Sequence, residues 1–197
     1  LELASAQSKE KRQKYFKLHL FEYFLDTHIH LVRLRLVGNR IISHDQKMFS
    51  LFEPHTRWIK KGKAGDRVEL GLPVAVATDQ YGFILAHHVM LDEQDVDIAV
   101  PFVESLVKRY LIDSLSFDKG FWSPINFKKL KAMVDNVIMP KKGKRNKQEM
   151  EREHDDMFQK LRRHHAAVES DINGLEHHAL NRCPDKGIER FKNYCAL

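Results

Sequence analysis

Leu111-Ile112-Asp113-Ser114-Leu115-Ser116-Phe117-Asp118-Lys119-Gly120-Phe121-Trp122-Ser123-Pro124 is the stretch that decides how this chain folds. Its first half is a short apolar run that ends in a carboxylate, Asp118, and reads as a buried strand. Lys119 to Pro124 reads as a turn. Residues 125–135 then follow as a helix and Asn136 to Pro140 as a second short strand. In open α/β sheets the carboxyl edge of the strands is where ligands bind. Asp118 stands at that edge, and Gly120 just after it permits close approach of the backbone. The plainer reading is that Asp118 only caps the next turn, as Asp often does.

Upstream of this stretch, residues 98–110 read as an amphipathic helix with a proline at its start, and Asp92 to Asp97 as an acidic loop. Residues 67–90 read as a hairpin. Val68, Leu70, Leu72, Val74 and Val76 alternate with smaller or less apolar residues, Asp79-Gln80-Tyr81-Gly82 makes the turn, and Phe83 to Val89 returns. Residues 48–59 read as a short strand stopping at Pro54, followed by a Lys/Gly loop at 60–66. Residues 2–37 carry apolar residues at helical spacing, with Gly38-Asn39 as the stop. Downstream, Lys141 to Lys147 is a basic loop. A long helix is expected from about 148 to 179, with Met150, Met157, Phe158, Leu161, Val168, Ile172, Leu175 and Ala179 on its apolar stripe, and a final helix near Lys186. Antiparallel strands come first and strand–helix alternation later, so the expected fold class is α/β, a mixed sheet flanked by helices, with an N-terminal helix.

Composition narrows the function classes. The chain has 197 residues, suiting one domain or one domain with an appendage. No apolar run reaches the length of a membrane span, and no signal peptide is visible. Cys183 and Cys195 do not make a disulfide framework, so a reducing compartment is expected. The net charge of +6 is unevenly spread: residues 1–63 carry 13 Lys/Arg against 6 Asp/Glu, residues 64–140 carry 7 against 11, and residues 141–197 carry 13 against 10. Basic flanks suit a polyanion such as DNA, because each cation placed on a phosphate releases counterions. An acidic middle repels DNA unless divalent cations fill it; the alternative is a merely soluble basic protein. The chain opens on Leu1 rather than Met, and Cys195-Ala196-Leu197 reads as the inside of an apolar segment, so both ends are expected to continue in a longer protein.

Glu169, on the long helix between Val168 and Ile172, lies near the edge of the apolar stripe. One carboxylate from a strand end and one from a helix can together bind Mg²⁺ or Mn²⁺, which prefer oxygen ligands. A simple solvated Glu is the alternative. Other constellations fail. Lys-Lys-Gly-Lys occurs at 60–63 and 141–144, but neither is a phosphate-binding P-loop, since Arg57 or Ile138 stands where the first glycine belongs and Ala64 or Arg145 where Ser or Thr belongs. Contact with DNA backbone explains both loops better than a P-loop, through Lys60, Lys61, Lys63, Lys141, Lys142, Lys144 and Arg145; simple solvated loops are an equal alternative. The 12 histidines include pairs at 87–88, 164–165 and 177–178, but no Cys-x-x-Cys accompanies them, which argues against zinc. Ser50 and Ser123 lack the flanks of a nucleophile elbow.

Four ordered stretches carry a resemblance over residues 40–197. They are Phe-Ser-Leu-Phe-Glu-Pro-His-Thr with Ile-Lys-Lys-Gly-Lys-Ala (49–64), Val-Glu-Leu-Gly with the hairpin (68–89), Ser-Phe-Asp-Lys-Gly-Phe-Trp-Ser-Pro-Ile-Asn (116–126), and Pro-Lys-Lys-Gly-Lys (140–144) leading to His-Ala-Ala-Val-Glu-Ser-Asp-Ile-Asn-Gly-Leu-Glu (165–176). Ala-Leu-Asn-Arg-Cys (179–183) and Gly-Ile-Glu-Arg-Phe (187–191) fit as well. The set resembles bacterial insertion-sequence transposases of the DDE type, with a ribonuclease-H-like catalytic domain. The resemblance implies DNA cleavage and strand transfer dependent on Mg²⁺ or Mn²⁺, with Asp118 as the second catalytic acid and Glu169 as the third. For the first acid it leaves Glu53 and Asp45 open, or a residue before Leu1. Asp97 is a further acid near the hairpin, more readily read as a loop or helix-cap residue. Many relatives carry Arg four residues before the third acid and Lys seven after it; His165 and Glu176 occupy those positions here. The implied partners are double-stranded DNA, both element ends and target, and a second copy of the chain as a homodimer on DNA. The implied location is the bacterial cytoplasm, and no membrane association is expected. Residues 1–39 are then the end of a DNA-binding part and 40–197 the catalytic domain, truncated at its C-terminus. The rival readings are an inactive DNA-binding remnant and an unrelated metal-dependent nuclease on the same fold.

Overall fold

The structure, a computed structural model, describes residues 2–60, 68–180 and 182–196, with side chains from residue 8 onward. The fold is mixed α/β with small sheets and an N-terminal helix, and it divides into two compact units, residues 1–72 and 73–197. The sequence places a boundary after residue 39, whereas the compact first unit runs on to Leu72.

The first unit opens with α1 (Glu2–Leu36), the helix that the 3.6-residue spacing predicts. Phe24, Thr27, His28, Leu31 and Leu34 are its half-buried face. No described side chain of this unit is fully buried. His44, Phe49 and Trp58 meet edge to face with ring centroids 5.4 to 5.7 Å apart, and the Lys47 ammonium lies 5.5 Å from the Trp58 ring. Strand β1 (Arg57–Lys60) pairs antiparallel with β2 (Val68–Gly71), Arg57 opposite Gly71 and Lys60 opposite Val68. The strand expected over 48–59 is confined to this last part. Pro54 has no N–H for a ladder, and the chain turns there, with the Thr56 N–H donating to the Glu53 carbonyl at 2.9 Å.

The second unit holds the core. Strands β3 (Val74–Thr78) and β4 (Ile84–Val89) form an antiparallel hairpin around Asp79–Gly82. The Asp79 carboxylate accepts the N–H groups of Tyr81 at 2.8 Å and Phe83 at 2.9 Å, and Gly82 takes φ +84°, which favours glycine. The expected single strand from Val68 to Val76 is therefore two. It breaks at Leu72-Pro73, where proline cannot donate to the ladder. Helix α2 (Asp95–Val107) starts earlier than expected, because Gln94 and Asp97 close a reciprocal capping box, and Pro101 falls inside it rather than at its start. Strand β5 (Ser114–Ser116), α3 (Pro124–Lys131) and β6 (Asn136–Ile138) follow, with β5 and β6 parallel. Ser123 is the N-cap of α3, accepting the Asn126 N–H at 3.0 Å.

The predicted long helix is three: α4 (Lys147–His154), α5 (Asp156–His164) and α6 (Ala166–His177). Asp155 causes the first break by accepting the N–H groups of Met157 and Phe158, a local cap that a stripe of apolar residues does not reveal. Helix α7 (Ile188–Cys195) ends the described chain. Among the described residues the strands make three two-stranded sheets rather than one mixed sheet.

Val103, Phe117, Leu130, Val134, Val137 and Met139 form the main core, joining α2, α3, β6 and the end of β5. A second cluster, Ala75, Met90 and Ile98, packs β3 and β4 on α2, with Phe121 touching both. Burying each large side chain contributes about 1.5–3 kcal/mol. This packing fixes the carboxyl end of β5 against the start of α2. No helix among the described residues is long and apolar enough to cross a membrane.

Candidate functional site

Asp118 follows β5 by two residues, after the buried Phe117. Its side chain is 66% exposed and faces two cationic or proton-donating groups of the second unit. His165 Nε2 lies 3.2 Å and an Arg162 guanidinium nitrogen 3.7 Å from the same oxygen, Oδ1. An ionised carboxylate only accepts, so Nε2 carries the shared hydrogen. The His165 hydrogen bond, with the His165 and Arg162 charges, holds the Asp118 carboxyl below its usual range despite partial burial. Arg162 is itself anchored by a 2.8 Å hydrogen bond to the Phe117 carbonyl. The His165 side chain is only 10% exposed, and its Nδ1 is buried without a partner.

The structure adds a residue that the sequence reading passed over. Asp95, the first residue of α2, lies over Gly120, and a Cβ built on Gly120 would fall 2.1 Å from Asp95 Oδ2. Burial and then the charge of Asp118 push the Asp95 carboxyl up, with Lys142 opposing. Asp95 thus sits over Gly120 and feels the charges of Asp118 and Lys142, while Arg162 and His165 contact Asp118. The available signal was Gly120 itself, whose φ is not positive, so that close approach rather than backbone conformation is its use. Asp97 is exposed and hydrogen bonds the Gln94 N–H at 2.9 Å as part of the α2 cap.

Glu169 is exposed in the first turn of α6, four residues beyond His165. Such spacing puts it on the same helical face as His165, Cβ to Cβ about 5–6 Å apart. Glu53 and Asp45 belong to the first unit. Glu53 is half-buried in a turn, its N–H on Ser50 Oγ at 3.0 Å and its carboxylate 3.5 Å from His55 Nε2. Asp45 sits exposed in a short 3-10 turn, its carboxyl lowered chiefly by a Ser43 hydrogen bond. Neither stands on a strand.

The basic loop is partly neutralised. Lys141 Nζ is 2.6 Å from Glu149, and Arg145 Nε is 2.6 Å from the buried Glu153, which also accepts the Lys141 N–H at 2.7 Å. Lys141 and Arg145 are thus tied to helix α4, while Lys142 and Lys144 remain exposed. Lys60 ends β1, exposed; Lys61 and Lys63 lie outside the described residues. Among the described residues no group of three or more His, Cys, Asp or Glu side chains converges as a metal site. No protein-family model matches the chain, and no curated protein or solved structure matches it either.

Proposed function

We propose that this chain is the catalytic part of a DDE-type transposase, its second unit a reduced ribonuclease-H-like arrangement acting on DNA. The observation that carries the reading is Asp118 just past the carboxyl end of the parallel strand β5, with His165 at 3.2 Å and Arg162 at 3.7 Å from its carboxylate. Supporting it, the order hairpin, helix, strand, helix, strand and C-terminal helices is the order expected for such a fold from its second strand onward.

The donor chemistry fits a divalent cation: Asp95 lies over Gly120, two residues along the chain from Asp118, and hard cations take oxygen ligands. Asp118 and Asp95 would hold Mg²⁺ or Mn²⁺, with Glu169 one helical turn from His165 as the remaining acid. A bound divalent ion supplies charge stabilisation for the oxygens of a phosphodiester under attack. The chain's own groups do the positioning. His165 and Arg162 hold Asp118 through the same oxygen, Oδ1, and the exposed Lys142 is a cation available to a phosphate. In the reaction, a water oxygen bonds to phosphorus and the 3′-oxygen leaves with a proton. The resulting 3′-hydroxyl then attacks a target phosphodiester and displaces its 3′-oxygen, one phosphate ester exchanged for another.

The test is incubation of the full chain with supercoiled plasmid, Mn²⁺ and a labelled oligonucleotide ending in a 3′-hydroxyl. Nicking and joining of label to plasmid, both lost in Asp118→Asn, is the expected result. Nicking without joining would point instead to a nuclease. A second reading, a DNA-binding remnant without catalysis, is favoured by one observation: among the described residues no three His, Cys, Asp or Glu side chains converge as a metal site. It predicts salt-sensitive DNA binding, unchanged by Asp118→Asn, and no turnover.

A further inference from the structure

We propose that the outer face of α1 pairs two copies of this chain as an antiparallel dimer, stripe against stripe, without DNA and without metal. The pairing belongs to the first unit and stands apart from the reading of the Asp118 site.

Helix α1 turns one face to its own unit, through the half-buried Phe24, Thr27, His28, Leu31 and Leu34. A second apolar stripe, Leu18, Phe21, Leu25, Ile29, Val32 and Leu36, runs down another side at spacings of three and four residues. Such spacing keeps successive side chains on one face, as in the seam of a coiled coil. The stripe is about 27 Å long at a rise of about 1.5 Å per residue, and its members are 39% to 77% exposed. Single exposed apolar residues are ordinary, whereas a continuous row of them marks a contact surface. With about 200 Å² for a large apolar residue, these fractions leave roughly 600 Å² uncovered on each helix. Two copies together would hide roughly 1,200 Å², above the ~1,000 Å² that a specific interface requires.

Two features select a second copy as the occupant. The stripe matches its own reverse: turned end for end about the level of Thr27, Leu18 meets Leu36, Phe21 meets Val32 and Leu25 meets Ile29. A surface that pairs with itself about a twofold axis is what an isologous dimer requires. The charges beside the stripe fit the same arrangement. Glu22 and Arg33 are separated by about three helical turns, so both border the stripe on one flank, and both are exposed. Antiparallel pairing sets Glu22 of each copy against the partner's Arg33, twice by symmetry. Parallel pairing would oppose Glu22 to Glu22 and Arg33 to Arg33, and would lay the basic run from Lys9 to Lys17 against the same run. Beside the C-terminal half of the stripe, Val32 and Leu36 form one wall of an open cavity of about 560 Å³, with Ile41, Met48 and Phe49 on the other. The antiparallel register brings the partner's Phe21 to its rim, an aromatic side chain meeting an apolar hole.

The experiment is sedimentation velocity on the full chain from about 1 to 100 μM, the range of a modest affinity. EDTA and prior nuclease treatment ensure that neither metal nor DNA bridges the copies, and each variant is checked for folding by circular dichroism. Wild type is expected to pass from monomer to dimer across this range. Leu25→Glu, present twice in each dimer, should weaken association at least about tenfold. Tyr23→Ser, at an exposed aromatic off the stripe, should leave it unchanged. Glu22→Arg and Arg33→Glu should each weaken association several-fold, and the double variant should restore it, a recovery that only an opposed charge pair produces. A wild type that stays monomeric throughout overturns the proposal, and the stripe then serves something other than a second copy. A dimer indifferent to Leu25→Glu overturns it as well, placing the contact elsewhere. Failure of the double variant to recover refutes the antiparallel register.

Discussion

Glu153 is the buried anchor of the basic loop, and replacing it with glutamine gives the sharpest test of how the second unit is held. Oε1 accepts the Lys141 N–H at 2.7 Å and lies 3.4 Å from Arg152, while Oε2 accepts Arg145 Nε at 2.6 Å. Glu153→Gln keeps the shape and one acceptor oxygen, but it turns an NH₂ group towards a cation. At least one charge-assisted hydrogen bond is lost, worth about 1.5–3 kcal/mol. Arg145 is a third exposed and can turn to water, which places the loss near the lower end, about 2 kcal/mol. With a urea slope of about 2 kcal/mol/M, the midpoint should fall by about 1 M. Trp122 is a built-in reporter, since the Arg152 guanidinium lies 5.2 Å from its ring. The assay is urea unfolding followed by fluorescence in a Trp58→Phe background, which leaves Trp122 as the sole tryptophan. The pH dependence has a definite sign. Burial pushes the Glu153 carboxyl up, but the Lys141 N–H and the Arg145 and Arg152 charges more than offset it, so its folded value lies below the ordinary 4.5. A depressed carboxyl contributes stability above its unfolded value and loses it as pH falls through the folded one. The gap between wild type and Glu153→Gln should be full at neutral pH and close below pH 4.5. A midpoint shift under about 0.3 M, or a gap that widens in acid, would refute the reasoning.

Other perturbations have equally direct readouts. Leu130 is fully buried in the main core, so Leu130→Ala should cost about 2–5 kcal/mol, seen as a lowered thermal midpoint for the second unit. The buried Asn126 donates to the carbonyls of Val96 at 2.7 Å and Phe121 at 3.2 Å. Asn126→Leu leaves both unpaired and should destabilise by about 2–4 kcal/mol in urea titration, whereas a near-neutral result would show that water replaces the amide. Gly82→Ala forces a side chain into φ +84° beside Asp171 Oδ1, 3.3 Å from the new Cβ. About 1–2 kcal/mol should be lost, measured by chemical denaturation.

Local chemistry written in single residues was legible in the sequence. The Asp79–Gly82 turn, the α1 periodicity and the strand leading to Asp118 all follow from residue types acting on their immediate neighbours. What eluded a linear reading were competitions. Pro73 cuts a run of alternating apolar residues into two strands paired with different partners, and Asp155 caps a new helix inside an unbroken apolar stripe. At the site, Asp118 was legible because it ends a strand. Asp95 was not, because it stands beside the capping acid Asp97 and the two look alike until the backbone brings one of them over Gly120. Lys141 and Arg145 read as phosphate contacts because charge is visible in a sequence, whereas their partners Glu149 and Glu153 lie eight residues further on, in helix α4.

The parallel pairing of Ser114–Ser116 with Asn136–Ile138 encloses α3 within a short span of chain. Closing a loop of that length costs little chain entropy, and each doubling adds only about 0.6 kcal/mol. As the polypeptide emerges from a ribosome, most of the main core is therefore available once β6 is out. The cationic residues that later surround the acids, Lys142, Arg162 and His165, are still to come. In vectorial synthesis both carboxylates would therefore leave the ribosome before the side chains whose charges offset them.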